Sequence, residues 1–118
     1  METEIALSDM AIRLVAATGF AAIIGLERQF KNRPAGLRTH MLVALGSAAF
    51  LLVGLEILMA TAEGDPSARI DPTRIVEGVI GGIGFLGAGS IIQSRGSVHG
   101  ITTGAAIWIA GAIGVACA

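Results

Sequence analysis

Four long apolar stretches, separated by charges and prolines, decide what this chain can fold into. The first runs from about Met10 to Leu26, with Arg13 near its start. The second runs from about Thr39 to Met59, with Glu56 near its end. The third runs from about Ile75 to Ile92, with Glu77 near its start. The fourth starts at Val98, and no Lys, Arg, Asp or Glu follows Arg95. Pro34, Pro66 and Pro72 all lie between the stretches, where a missing helical hydrogen bond does no harm. A helix needs about 20 mostly apolar residues to cross hydrocarbon. The wholly uncharged cores of the first three stretches, 14–26, 40–55 and 78–92, are shorter. Each spans only if a charge near one end sits at the membrane boundary. Arg13 can snorkel there. Glu56 and Glu77 reach less far and are expected to face the bundle or a wet cavity.

Composition closes off the soluble alternative. Of 118 residues, 53% are hydrophobic and 14% charged, against about 25% charged in an ordinary soluble domain. A water-soluble bundle would need a polar face on the third and fourth stretches, and they have none. The expected fold is therefore all-α: one transmembrane domain with helices over about 10–26, 39–59, 75–92 and 98–118. The net charge of −1 excludes a field that recruits nucleic acid. Cys117 stands alone, so it forms no internal disulfide and no cysteine metal cluster. The acidic start, Met1-Glu-Thr-Glu, lacks the basic region of a cleavable signal, so the first stretch is expected to be retained. Loop charge sets the orientation. Arg28, Lys31, Arg33 and Arg38 crowd the first loop and Arg95 the third. The second mixes Arg69 and Arg74 with Glu63, Asp65 and Asp71. The 27–38 loop is expected in the cytoplasm and both termini outside.

Gly82-Ile-Gly-Phe-Leu-Gly87 reads as G-x-G-x-x-G, the pattern of a dinucleotide-binding turn. That turn needs a preceding strand and an acid about 20 residues on to hold the ribose. No Asp or Glu follows Glu77, and the flanking residues are apolar. In lipid, small residues every fourth position let helix backbones approach closely. Gly78 and Gly82 form one such pair, Gly84 and Ala88 continue the row, and Gly87 and Gly89 add to it. Gly100 and Gly104 form a second pair, with Gly111 one heptad on. These glycines are expected to pack the third and fourth helices as a tight hairpin.

Four linked motifs resemble the MgtC/SapB family: Gly25-Leu-Glu-Arg-Gln-Phe, Ala35-Gly-Leu-Arg-Thr, Gly82-Ile-Gly-Phe-Leu-Gly-Ala-Gly and Gly100-Ile-Thr-Thr-Gly-Ala-Ala-Ile-Trp. Their order and spacing match from about Gly19 to Cys117. The resemblance implies a bacterial inner-membrane protein tied to growth in low magnesium and, in some pathogens, to survival in macrophages. Members are often labelled magnesium transporters, and some are thought to act on the F-type ATP synthase. Typical members add a fifth membrane helix, and many a soluble domain; these four stretches contain neither. Some members carry Asn where this chain has Thr102, and many carry Ala-Gln where it has Glu77-Gly78.

The densest polar cluster falls at the cytoplasmic helix ends: Glu27, Arg28, Arg38, Thr39, His40, Gln93, Thr102 and Thr103. Glu27 and Arg38 can pair there in a partly dry setting, while Arg28, Lys31 and Arg33 can anchor to anionic lipid. At the outer end, Glu56 and Glu77 can hold Mg²⁺, which takes oxygen ligands and keeps several waters. Pairing of those acids with Arg13 is the preferred reading. His40 and His99 lack partners at metal-ligand spacing. Trp108 lies deep in the fourth stretch and is expected to pack in the core. No nucleophile sits in a catalytic context, so no enzyme activity is expected. No cofactor is expected either; Mg²⁺ is the one ion the reading brings in.

Two functions remain. The first is a regulator of magnesium limitation that works through helix contacts, either as a homodimer or with other membrane proteins. The second is a small Mg²⁺ or other ion transporter or channel. A four-helix multidrug transporter would need a carboxylate in the middle of the first helix, and no acid lies between Arg13 and Glu27.

Overall fold

A computed structural model describes residues 5–64, 67 and 71–118 of the chain. Met1–Glu4, Asp65, Pro66, Arg69 and the Glu63 side chain lie outside the described set. Four helices follow one another: α1 (Leu7–Phe30), α2 (Leu37–Gly64), α3 (Pro72–Gln93) and α4 (Val98–Cys117). Each is long and apolar enough to cross a membrane. The first three outrun the expected spans because helical hydrogen bonding does not stop at a charge. Arg13, Glu27 and Arg28 all continue α1, and Glu56 continues α2.

The ends are set by local chemistry. Asp71 caps α3, accepting from the Thr73 amide at 2.9 Å and the Thr73 hydroxyl at 2.7 Å, and Pro72 occupies the first turn. Ser97 caps α4 by accepting from the Gly100 amide at 3.2 Å. α1 closes with Asn32 at φ 54°, which lets the Arg33 amide donate to the Arg28 carbonyl at 3.0 Å. The α3–α4 turn places Arg95 and Gly96 at φ 59° and 74°, and the Gly96 amide donates to Ile91 at 2.9 Å.

α4 is the hub. It packs against α1, α2 and α3, whereas among the described residues α3 touches only α4 and α2. Close approach requires small residues. A Cβ on Gly87 would lie 3.4 Å from the Gly104 carbonyl oxygen, and one on Gly104 would lie 3.1 Å from that of Gly87. A Cβ on Gly114 would overlap the Ala44 carbonyl oxygen and sit 2.6 Å from the Ser47 Cβ. Ala17, Ala21, Ala44 and Ala48 are wholly buried. Many large residues point outward: Val15, Phe20, Phe50 and Phe85 are exposed, and so is Trp108 at 53%. Trp108 therefore does not pack in the core as expected. It lies on a face of α4 that misses the buried row Ile107, Ala110, Gly111 and Gly114.

The bundle is flat, 51 × 26 × 13 Å, so every helix keeps a broad outward face. α3 is the least enclosed. Its buried positions are Ile83 and Gly87. Gly78, Gly82, Phe85 and Gly89 follow at intervals of four, three and four residues on roughly the opposite side, and all are exposed. A Cβ at Gly78, Gly82, Gly84 or Gly89 would meet nothing within 4 Å. These four glycines therefore do not form the hairpin seam expected of them; α3 meets α4 through Gly87 instead. α2 and α3 touch where Ile75 fills the space over Gly54. Further along they leave a groove of about 690 Å³ lined by Val43, Gly46, Ser47, Gly78, Gly82 and Ile83.

Two outcomes test this packing. Gly114→Ala should destabilise the bundle by about 1–3 kcal/mol through overpacking, whereas Gly84→Ala should be neutral or gain up to about 1 kcal/mol of helix propensity. Reversible unfolding in bicelles would read both; equal effects would contradict the packing. The hydrogen bonds from the Thr73 hydroxyl and amide hold the Asp71 carboxyl below the usual carboxylate range. A carboxylate lowered in the folded state adds stability above its unfolded pKa and loses it as pH falls through the folded value. Amide-exchange protection at Thr73 and Arg74 should therefore drop on acidification below the ordinary carboxylate range. That dependence should vanish in Asp71→Ala.

Candidate functional site

Small residues on α1 lead straight to the polar site. Ala17, Ala21, Gly25 and Arg28 are the buried positions of this helix, spaced four, four and three residues apart. They form one stripe, and Arg28 is its last member. Arg28 is 5% exposed. Its Nη2 donates to the Pro34 carbonyl oxygen at 2.8 Å and to the Thr103 hydroxyl. Its Nε is buried without a partner. Arg28 is therefore placed differently from Lys31 and Arg33, which are exposed.

Glu27 lies about 100° around the helix from Arg28 and so faces outward. It pairs with Lys31 at 2.9 Å, both side chains being more than half exposed. The expected Glu27–Arg38 pair does not form. Lys31 is one turn away on the same helix, while Arg38 is exposed on α2. The same rotation separates the two threonines. Thr103 is 1% exposed and donates to the His99 carbonyl at 2.8 Å. Thr102 is exposed and donates back to Val98 at 3.0 Å. Thr39 is half-buried and Gln93 exposed. Gly100 lies against Ser94, whose hydroxyl donates to Ile91 at 2.8 Å.

Loop and helix close over this core. A Cβ on Gly25 would come within 2.7 Å of the Leu37 Cα, so α1 and the start of α2 are in backbone contact. The Gln29 side-chain oxygen accepts from the Leu37 amide at 3.1 Å, capping α2 from α1. Arg33 reaches across to His99, its Nη1 lying 2.8 Å from the ring Nδ1. His40 is fully buried, with Nδ1 2.9 Å from the Gly36 carbonyl. A carbonyl only accepts, so Nδ1 carries a proton, and Nε2 is buried without a partner. The depth of His40 was not foreseen. The signal available was its spacing from Ala44, Ser47 and Ala48, the small residues that α2 also buries.

The far end holds the remaining candidates. Arg13 Nη1 donates to the Ala118 carbonyl, and Glu56 accepts from the Ile5 amide at 2.8 Å. Glu56 lines a cleft with Met10 and Leu14 of α1, a helix that α3 does not touch. Glu77 on α3 is exposed. The expected pairing of Arg13 with Glu56 or Glu77 is thus replaced by backbone partners, and the two acids are not brought to one cation site. Among the described residues, no three His, Cys, Asp or Glu gather as metal ligands.

SrpB of Synechococcus elongatus is 47% identical over 115 residues, covering 89% of this chain and 60% of its own. MgtC of Brucella abortus is 41% identical over 111 residues, covering 94% of this chain and 43% of its own. YhiD of Escherichia coli K12, provisionally named a magnesium transporter, is 40% identical over 108 residues, covering 92% and 50%. The chain thus spans about half the length of the curated relatives it matches. No solved structure matches it. The pattern of the MgtC family covers residues 14–118, and with relatives at this identity the chain belongs to the MgtC family.

Proposed function

We propose that this chain is a bacterial inner-membrane protein of adaptation to low magnesium, acting through helix contacts with a second copy or with other membrane proteins. In this reading the basic end faces the cytoplasm, following the loop charges. The observation that carries it is the exposed row Gly78, Gly82, Phe85 and Gly89 on α3, where a Cβ on any of the three glycines would meet nothing within 4 Å and Gly78 and Gly82 border the open groove beside α2. A glycine in a helix costs about 1 kcal/mol against alanine, and toward lipid it gains no packing in return. A partner helix seated on that face recovers the cost by close approach. The magnesium link rests on family membership and on the name carried by YhiD. An F-type ATP synthase subunit is one partner of the right kind.

Ion conduction is the competing reading, favoured by that same relative's name. Against it stands the lining of the bundle. Its fully buried side chains include Ala17, Ala21, Ala44 and Ala48, and its deepest charge is the cation Arg28.

Two measurements separate them. With a Mg²⁺ dye trapped inside liposomes, the reconstituted chain should leave Mg²⁺ entry at the protein-free rate; entry rising with protein would favour conduction. In cells whose low-magnesium growth depends on the protein, Gly78→Leu/Gly82→Leu should abolish growth at normal membrane levels, and Gly84→Leu should not. Equal behaviour of the two would remove the α3 face from the mechanism.

A further inference from the structure

Four residues at the basic end close a ring of hydrogen bonds. Arg28 donates to the Thr103 hydroxyl. That hydroxyl donates to the His99 carbonyl at 2.8 Å. The His99 ring meets Arg33 Nη1 at 2.8 Å, and the Arg33 amide donates to the Arg28 carbonyl at 3.0 Å. The ring thus contains two guanidinium groups and no acid. Among the described residues the one ion pair is Lys31–Glu27, at 2.9 Å, so Arg28 has no carboxylate within ion-pair distance. It is nevertheless 5% exposed, and its Nε is buried and unpartnered. The adjacent acid, Glu27, acts on Arg28 only from outside ion-pair distance; a buried charge without a direct counter-charge is unfavourable, and neutral carbonyl and hydroxyl partners offset only part of that. The other charges at this end, Lys31, Arg38 and Arg95, add positive field, and Glu27 is held by Lys31.

We propose that the Arg28–Thr103–His99–Arg33 ring binds a phosphoryl oxyanion. Arg28 would supply donors from within and Arg33 from the surface, as guanidinium groups do for phosphate. The first turn of α4, to which His99 belongs, adds the positive end of a helix dipole. Position favours phosphate over an acidic side chain. Arg28 sits in the last turn of α1, where the apolar span ends and bilayer phosphates lie. The phosphoryl group can come from a phospholipid headgroup or from a free solute, and both present the same chemistry.

Unfolding of the intact chain under two conditions tests this. One is uncharged detergent with inorganic phosphate, against potassium chloride at matched ionic strength. The other is zwitterionic bicelles with and without phosphatidylglycerol. A ligand bound only to the folded state raises the midpoint. At least one phosphate-bearing probe should do so, and chloride should not. Inorganic phosphate acting by itself assigns a free solute; phosphatidylglycerol acting where inorganic phosphate does not assigns the headgroup. Arg33→Gln, at an exposed position that leaves the core intact, should weaken the apparent affinity about tenfold. Arg28→Gln should abolish the shift, and if it fails to fold, Arg33→Gln decides. The proposal is overturned if neither probe moves the midpoint, if chloride matches them, if Arg33→Gln binds like wild type, or if a hexaglutamate peptide stabilises where both phosphates fail.

Discussion

Backbone-to-backbone approach at α4 is the constraint on which the other contacts depend. Gly104 meets Gly87, and Gly114 meets Ala44 and Ser47. In a bilayer, burying an apolar side chain against a neighbour gains little, because lipid tails are equally apolar. Cohesion then comes from dispersion and from weak polar contacts, which need short distances. The many small residues of the core follow from that, with Leu51, Leu52, Ile83 and Ile107 the larger side chains buried beside them. Ala17, Ala21, Ala44 and Ala48 are buried while Phe20, Phe50 and Phe85 face out.

The same geometry fixes the polar site. Once α4 lies against α1 and α2, the buried stripe of α1 carries Arg28 inward and the stripe of α4 carries Thr103 toward it. Their contact, with Arg33 across to His99, ties the α1–α2 loop to the start of α4. A charge placed there is tolerated because the guanidinium finds a carbonyl and a hydroxyl.

How far the sequence could be read depended on the scale of the question. Helix number and order were legible because long apolar runs alternate with short segments in which charges cluster. Helix ends were not, since Glu27 and Arg28 continue α1 rather than end it. Sidedness was the main loss. Neighbouring residues such as Glu27 and Arg28, or Thr102 and Thr103, share a composition window but point about 100° apart, so one is solvated and the other buried. Following the small-residue stripe Ala17, Ala21, Gly25 to its next position would have singled out Arg28. For the glycines, spacing alone could not tell an internal seam from an outer one. Gly78 and Gly82 fit the close-packing pattern as well as Gly100 and Gly104 do, and only the three-dimensional neighbours separate them.

The packing of α4 is open to direct measurement without altering the chain. Solid-state NMR on protein labelled at glycine Cα, in lipid bilayers, reports through-space contacts. A strong Gly87–Gly104 correlation is expected, with none joining Gly82 to any α4 glycine. Absence of the Gly87–Gly104 contact, or its replacement by one between Gly82 and Gly104, would mean that α4 sits in a different register and that Arg28 and Thr103 do not meet as described.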